Sequence, residues 1–264
     1  MSAVLRAEIL KITTTRLWWI LLICVFLIGG CYATLPAIVA LLQHRPAGSA
    51  SPFADPGTIS SIYNGGNTVS RILAMVLGVV AIGSEYRHRT LAAGYLATPR
   101  RVRLLTAKAG SVLIFGLVYG LTSVIAGVLV AVPFVLANHG TFALDQVTTW
   151  RSLVLGVLSV ALWTMIGMGL GILIKNLLAA LLVGIVFAYL IEPVLSALCF
   201  LRGWDPMLNL LPTGATNAML ATTSPVLFAG QHPYPWWLGG LVLAAWCLLP
   251  AAAGLLAAVR QDID

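Results

Sequence analysis

The chain has 264 residues, 60% of them hydrophobic and only 9% charged, with a formal net charge of +7 and a mean hydropathy of +0.98. Long charge-free runs at that hydropathy exclude a water-soluble domain and point to an all-α integral membrane protein. Once those runs are placed in a bilayer, no basic face wide enough for nucleic acid remains, so the positive charge reads as membrane topology.

At the start of the chain, Val4, Leu5, Ile9 and Ile12 fall near one face of a helix, while Arg6, Glu8 and Lys11 spread over the other. That pattern predicts an N-terminal interfacial helix on the cytoplasmic leaflet, with its basic residues near anionic membrane lipid. A frayed tail is the plainer alternative. The run Ile28-Gly29-Gly30-Cys31 loosely matches a lipoprotein cleavage signal, but Tyr32 to Leu42 continues apolar where a processed segment would turn polar. The first apolar run is therefore read as a retained span.

Six apolar runs are long enough for a bilayer core of roughly 30 Å: about 17–42, 67–84, 105–137, 152–174, 177–201 and 236–259. They form a single transmembrane domain over 1–264. Arg6, Lys11, Arg16, the Arg87 to Lys108 loop, Lys175 and Arg260 fall on one side, and Arg45, Arg151 and Arg202 on the other. The positive-inside rule then places both termini in the cytoplasm. Tryptophan, which prefers the interface, agrees: Trp18 and Trp19 sit at an inner boundary, and Trp150, Trp204, Trp236 and Trp237 at outer ones. Trp163 and Trp246 fall mid-span and read as helix packing.

Between the first two spans, Gln43 to Gly66 is rich in Pro, Ser and Gly and is expected to be an exposed external loop. Lys175-Asn176 is the whole turn between spans four and five, so those helices must form an antiparallel hairpin. From Arg202 to Pro235 the chain is too broken by proline to span. Its apolar pieces, MLNLL and ATNAML, predict two short external helices against the outer leaflet, with a surface loop as the alternative.

Five of the 15 Lys and Arg lie between Arg87 and Arg103. Ser84-Glu85 can cap and begin a new helix there, because the hydroxyl and the acid complement exposed amide groups. Arg87, His88 and Arg89 follow, then the patch Leu91 to Leu96, then the break at Thr98-Pro99 and the basic run Arg100, Arg101 and Arg103. Positive-inside anchoring accounts for the arginines. It does not account for Glu85, which at the start of an interfacial helix is open to a basic partner.

These residues carry a family resemblance. The run G-S-E-Y-R-H-R-T-L, then L-A-T-P-R-R and A-K-A, resembles the region between spans two and three of ABC-2-type permeases, the membrane subunits of ATP-binding-cassette exporters. The start A-E-I-L-K-I-T-T-T-R and the segment L-L-P-T-G-A fit the same family, so the resemblance covers the whole chain. It implies a cytoplasmic coupling helix from Glu85 to roughly Thr98 that seats in a cleft of a partner ATPase. Glu85 would pair with a basic residue there, with Tyr86, Arg87, His88, Arg89 and Thr90 on the helix and Pro99, Arg100 and Arg101 leading out of it. It further implies a second permease subunit, alike or different, and an external gate around Asp205, Pro206, Asn209 and Pro212. Location would be the bacterial plasma membrane, and the cargo an amphipathic drug, antibiotic, peptide or lipid. ATP and Mg2+ belong to the partner, since no G-x-x-x-x-G-K-[ST] loop occurs among the three lysines of this chain.

Two charges lie inside spans, where an ionisable group is a functional hypothesis by default. Arg71 lies roughly 20 Å above the inner end of span two and Glu192 roughly 25 Å above that of span five, at 1.5 Å per residue. An Arg71–Glu192 contact in the outer half of the membrane, within a subunit or across a dimer and near the substrate path, is expected, with Pro193 loosening the helix beside it; separate snorkelling is the alternative. Small residues at Gly116 and Gly120, and at Gly167, Gly169 and Gly171, offer close helix approach. Glu192 also supports a rival function, an ion-coupled secondary transporter with Glu192 as its proton site. A membrane enzyme is disfavoured because no facing His, Asp or Glu cluster occurs near one interface. Cys24, Cys31, Cys199 and Cys247 lie in apolar segments and read as small hydrophobes, and His44, His88, His139 and His232 are too scattered to be metal ligands.

Overall fold

The computed structural model describes residues 2–42, 51–88, 101–220 and 234–261. Every regular element among them is helical. Helix α1 (Ser2–Thr14) precedes α2 (Leu17–Leu42), and a short turn at Pro52–Ala54 leads into α3 (Pro56–Tyr63) and α4 (Asn67–His88). Then come α5 (Arg101–Ala137), α6 (Val147–Ile174), α7 (Leu177–Val186), a π-helical turn at Phe187–Ile191, and α8 (Glu192–Leu201). Helices α9 (Asp205–Leu210), α10 (Pro212–Leu220) and α11 (Trp236–Gln261) follow.

Among the described residues five stretches are long and apolar enough to cross a membrane: Leu17–Leu42, Pro56–Arg87, Leu104–Ala137, Val147–Ile174 and Leu177–Leu201. The sixth expected span falls on α11, whose stretch Trp236–Pro250 is a shorter apolar helix. Exposed Ile23, Leu27, Leu35, Leu182, Leu190 and Val194 give α2 and the α7–α8 rod bare apolar faces, which suit lipid and not water. The protein is a multi-pass membrane protein.

Helix α6 is the axis, packed by α4, α5 and α11. Close approach depends on glycine: a Cβ at Gly78 would collide with the Thr164 carbonyl, and one at Gly167 with that of Met75. Gly116 and Gly120 do the same for α5, lying on Ala161 and Val157 of α6, so these small residues pack within the subunit. A polar ladder adds specificity. Asn64 Nδ2 donates to Ser152 Oγ at 3.1 Å, Asn67 Nδ2 to Ser159 Oγ at 2.9 Å, and Ser70 Oγ to Ser123 Oγ at 2.8 Å.

The turn between α6 and α7 is the expected hairpin. Lys175 takes a left-handed conformation at φ 51°, and Asn176 Oδ1 accepts from Leu178 N and Ala179 N, closing one helix and capping the next. At the far end of the bundle, Arg151 lies over the Trp236 ring at 5.7 Å and Arg202 over Trp204 at 5.6 Å.

One segment departs from expectation. Residues 43–50 lie outside the described residues, but 51–66 is not an exposed loop. Phe53, Ile59, Ile62 and Tyr63 are buried against α5 and α6. Asp55 Oδ2 accepts from Thr58 N at 2.9 Å and Pro56 fills the first helical position, so α3 is well capped. Its residues 59, 62 and 63 then share one face, and Tyr63 Oη donates to the Phe142 carbonyl at 2.9 Å.

Candidate functional site

At the α1 end of the bundle four charged side chains meet, drawn from three helices. Leu5, Glu8, Ile9 and Ile12 share the face of α1 turned toward α5, so Glu8 points inward, 4% exposed, and not outward with Arg6 and Lys11 as the sequence pattern suggested. The reason is Lys108 of α5. Its ammonium, in a side chain 2% exposed, donates to Glu8 Oε2 at 2.7 Å and to Glu85 Oε1 at 2.5 Å. Lys11, 54% exposed, donates to Glu8 Oε1 at 2.6 Å and reaches Glu85 Oε1 at 3.2 Å. Two carboxylates and two ammoniums thus form a closed clasp of α1, α4 and α5.

A buried charge is tolerable only when paired and hydrogen-bonded, and each member of this clasp supplies that for the others. Burial pushes the Glu8 carboxyl up, but its hydrogen bonds to Lys108 and then Lys11 outweigh burial and hold it below the ordinary value of 4.5. For Lys11 burial acts downward, and the bond it donates to Glu8 together with the field of Glu85 outweighs it, raising the ammonium above 10.5. Tyr119 Oη, donating to the Trp18 carbonyl at 2.6 Å, and Trp18 Nε1, donating to the Thr13 carbonyl at 3.0 Å, fix the α1–α2 corner above the clasp.

Beside the clasp lies a cavity of about 370 Å³. Glu8, Lys11, Glu85, Lys108, Ser84 and Ser111 form its polar end. Its other wall is apolar, from Ile12, Leu17, Leu77, Val80 and Ala81.

The expected new helix at Ser84-Glu85 does not form. Helix α4 runs unbroken through Gly83 and Ser84 to His88, and Lys108 draws Glu85 to the bundle. Glu85, expected to be open to a basic partner, already has two within the chain, Lys108 and Lys11. Tyr86 packs beside Ile82, Val112, Met168 and Ile172, and Arg87 is exposed. His88 ends α4 and Arg101 begins α5. Arg89, Thr90, Pro99 and Arg100 lie outside the described residues.

Arg71 and Glu192 approach the same region of the interior but do not form an ion pair among the described residues. The Arg71 guanidinium lies over the Trp163 ring, 5.2 Å from its centroid, with Nε buried and unpartnered. Trp163 Nε1 in turn donates to Thr216 Oγ1 at 3.0 Å, so this tryptophan holds α10 as well as the arginine. Glu192, 1% exposed, accepts from the Thr213 amide at the N-terminus of α10, while its Oε2 is buried without a partner. A carboxylate there complements the exposed amides and the positive end of the helix. Pro193 cannot donate to the turn before it, and the chain widens into the π turn, with Glu192 N donating to the Phe187 carbonyl. Pro193 itself is exposed.

Helices α9 and α10 form at the two apolar pieces named from the sequence. Helix α10 packs on α11 and α6 with Pro212, Ala215, Thr216 and Met219 buried, so it enters the bundle instead of lying on it. Asn209 is buried and Pro206 exposed; of Asp205 only the backbone, opening α9, is described. Trp246 Nε1 donates to the Leu210 carbonyl at 2.9 Å, tying α11 to α9. A smaller apolar cavity of about 110 Å³ lies under α10, between Met75, Trp163, Phe187 and Trp246. Among the described residues no group of three His, Cys, Asp or Glu could hold a metal ion.

A family model described as ABC-2 family transporter protein matches residues 4–192, more than half of the chain. The match runs from α1 through the clasp to Glu192. No curated protein matches the chain.

Proposed function

The chain belongs to the ABC-2 family of transporter proteins, and we propose that it is the permease subunit of an ATP-driven exporter, powered by a separate ATPase. In this reading six spans cross the plasma membrane, α11 being the sixth, and both termini with the clasp face the cytoplasm. A second permease subunit completes the pathway, and an amphipathic substrate is moved outward.

The observation that supports this most is the clasp. Glu8, Lys11, Glu85 and Lys108 bind the inner ends of α1, α4 and α5 into one body. The stretch of chain from Arg87 to Arg101 starts and finishes on that body. An ATPase engaging this stretch through Arg87, Arg89 and Arg100 would move three helices together. Glu85 acts from behind, fixing the end of α4 instead of touching the ATPase. The gate at α9 and α10 is held by Glu192, Trp163 and Trp246, and moves when α4 and α6 shift.

Purification of the tagged chain from native membranes in mild detergent tests the reading. A stoichiometric ATPase with a phosphate-binding loop should accompany it, and Lys108→Met should weaken that association. Recovery of the chain without any ATPase would contradict it.

A further inference from the structure

We propose that the cavity beside the clasp binds an amphipathic monocation, whose charge takes the place of the Lys11 ammonium. The proposal rests on the transporter reading only for its place in transport; binding itself needs no ATPase. A volume of about 370 Å³ is that of a small-molecule site. One wall is aliphatic, from Leu17, Leu77, Val80 and Ala81, and the opposite end holds two carboxylates.

The two lysines of the clasp differ in a way that selects the charge of the ligand. Lys108 is 2% exposed and donates to both acids, so it cannot leave without stranding them. Lys11 is 54% exposed, and an ion pair so wet is worth little, so its side chain can swing to water. When it does, Glu8 and Glu85 share one ammonium and the cavity carries a net charge of −1. Glu8 Oε1 and the Lys11 side of Glu85 Oε1 are then freed for an incoming cation. A monocation restores neutrality in a poorly solvated place, a neutral molecule does not, and an anion meets two carboxylates. The apolar wall adds the requirement for a hydrophobic body.

Tetraphenylphosphonium and tetraphenylborate have the same shape and opposite charge, and they make the test. Equilibrium dialysis of each against the purified full chain in a neutral detergent, without nucleotide, should show saturable binding of the phosphonium alone. Lys11→Gln removes the competing ammonium and should tighten phosphonium binding about fivefold, the equivalent of an exposed pair worth about 1 kcal/mol. Val80→Trp fills the cavity and should abolish binding, with its unfolding temperature compared with that of the parent chain as the folding reference; phosphonium binding that survives in a folded Val80→Trp chain would also overturn the proposal. Equal binding of the borate, or unchanged or weaker phosphonium binding in Lys11→Gln, would overturn the proposal. Because no ATPase is present, either result leaves the exporter reading to its own test.

Discussion

Lys108 Nζ lies 2.5 Å from Glu85 Oε1 and 2.7 Å from Glu8 Oε2, in a side chain only 2% exposed. One ammonium therefore donates to two carboxylates that lie 100 and 23 residues away in sequence. Lys108→Met leaves both acids with only the exposed Lys11 ammonium, and removal of one partner from a buried pair costs about 3–5 kcal/mol. Thermal unfolding in detergent should show the loss. Adding Glu8→Gln to Lys108→Met should recover part of it, since one stranded charge is gone; a strictly additive double variant would show that the three groups do not interact.

The clasp also sets a pH window. Glu8 is held below 4.5, so its stabilising share is present above that value and is lost as pH falls through the lower folded value. Lys11 is raised above 10.5, so its share is present below that value and is lost as pH rises through the higher folded value. Helix α1 should stay docked between these limits and detach below the acid one. Spin labels at Leu10 and Arg87, in a chain with its cysteines replaced, report the distance, which should lengthen only in acid or strong alkali.

Much of this was legible in the sequence, for local reasons. Apolar runs as long as Leu17–Leu42 and Val147–Ile174 have no other stable home than a bilayer, and a two-residue turn at Lys175-Asn176 allows only a hairpin. The clasp left no such trace: Glu8 and Glu85 find Lys108 across the fold, and no periodicity within α1 or α4 announces it. Helical depth brought Arg71 and Glu192 to one region but could not reveal that Trp163 and the amide of Thr213 would claim them. For α3 the signal was present, as Asp55-Pro56 followed by Ile59, Ile62 and Tyr63, and was hidden by the Pro, Ser and Gly around it.

Tight packing of α4 on α6 has its own test. Gly78→Ala and Gly167→Ala each drive a methyl into a facing carbonyl, and overpacking of this type costs about 1–3 kcal/mol. Gly110→Ala places its methyl at an ordinary 3.4 Å from Leu5 Cδ1 and should be neutral or mildly stabilising. Unfolding temperatures of the three variants measure the contrast.

Helix α3 depends on its cap. Asp55→Ala removes the acceptor for Thr58 N and should cost about 1 kcal/mol. Hydrogen exchange should quicken across 56–63 and stay slow in α6, because the loss is local.

Glu192 separates the two transport mechanisms. Glu192→Gln keeps a carbonyl to accept from Thr213 N and cannot release a proton, whereas Glu192→Leu loses both. If Glu192 serves as the cap of α10, the glutamine variant should transport nearly as well as the parent and the leucine variant should not. A proton site would leave both inactive.

The energy source decides most directly between an ATP-driven exporter and an ion-coupled transporter. The permease with its co-purified ATPase, sealed into liposomes, should accumulate or expel substrate on addition of Mg-ATP with no ion gradient, and lose that activity with Lys108→Met. Transport by this chain alone, driven by a proton gradient without ATP, would contradict the exporter reading.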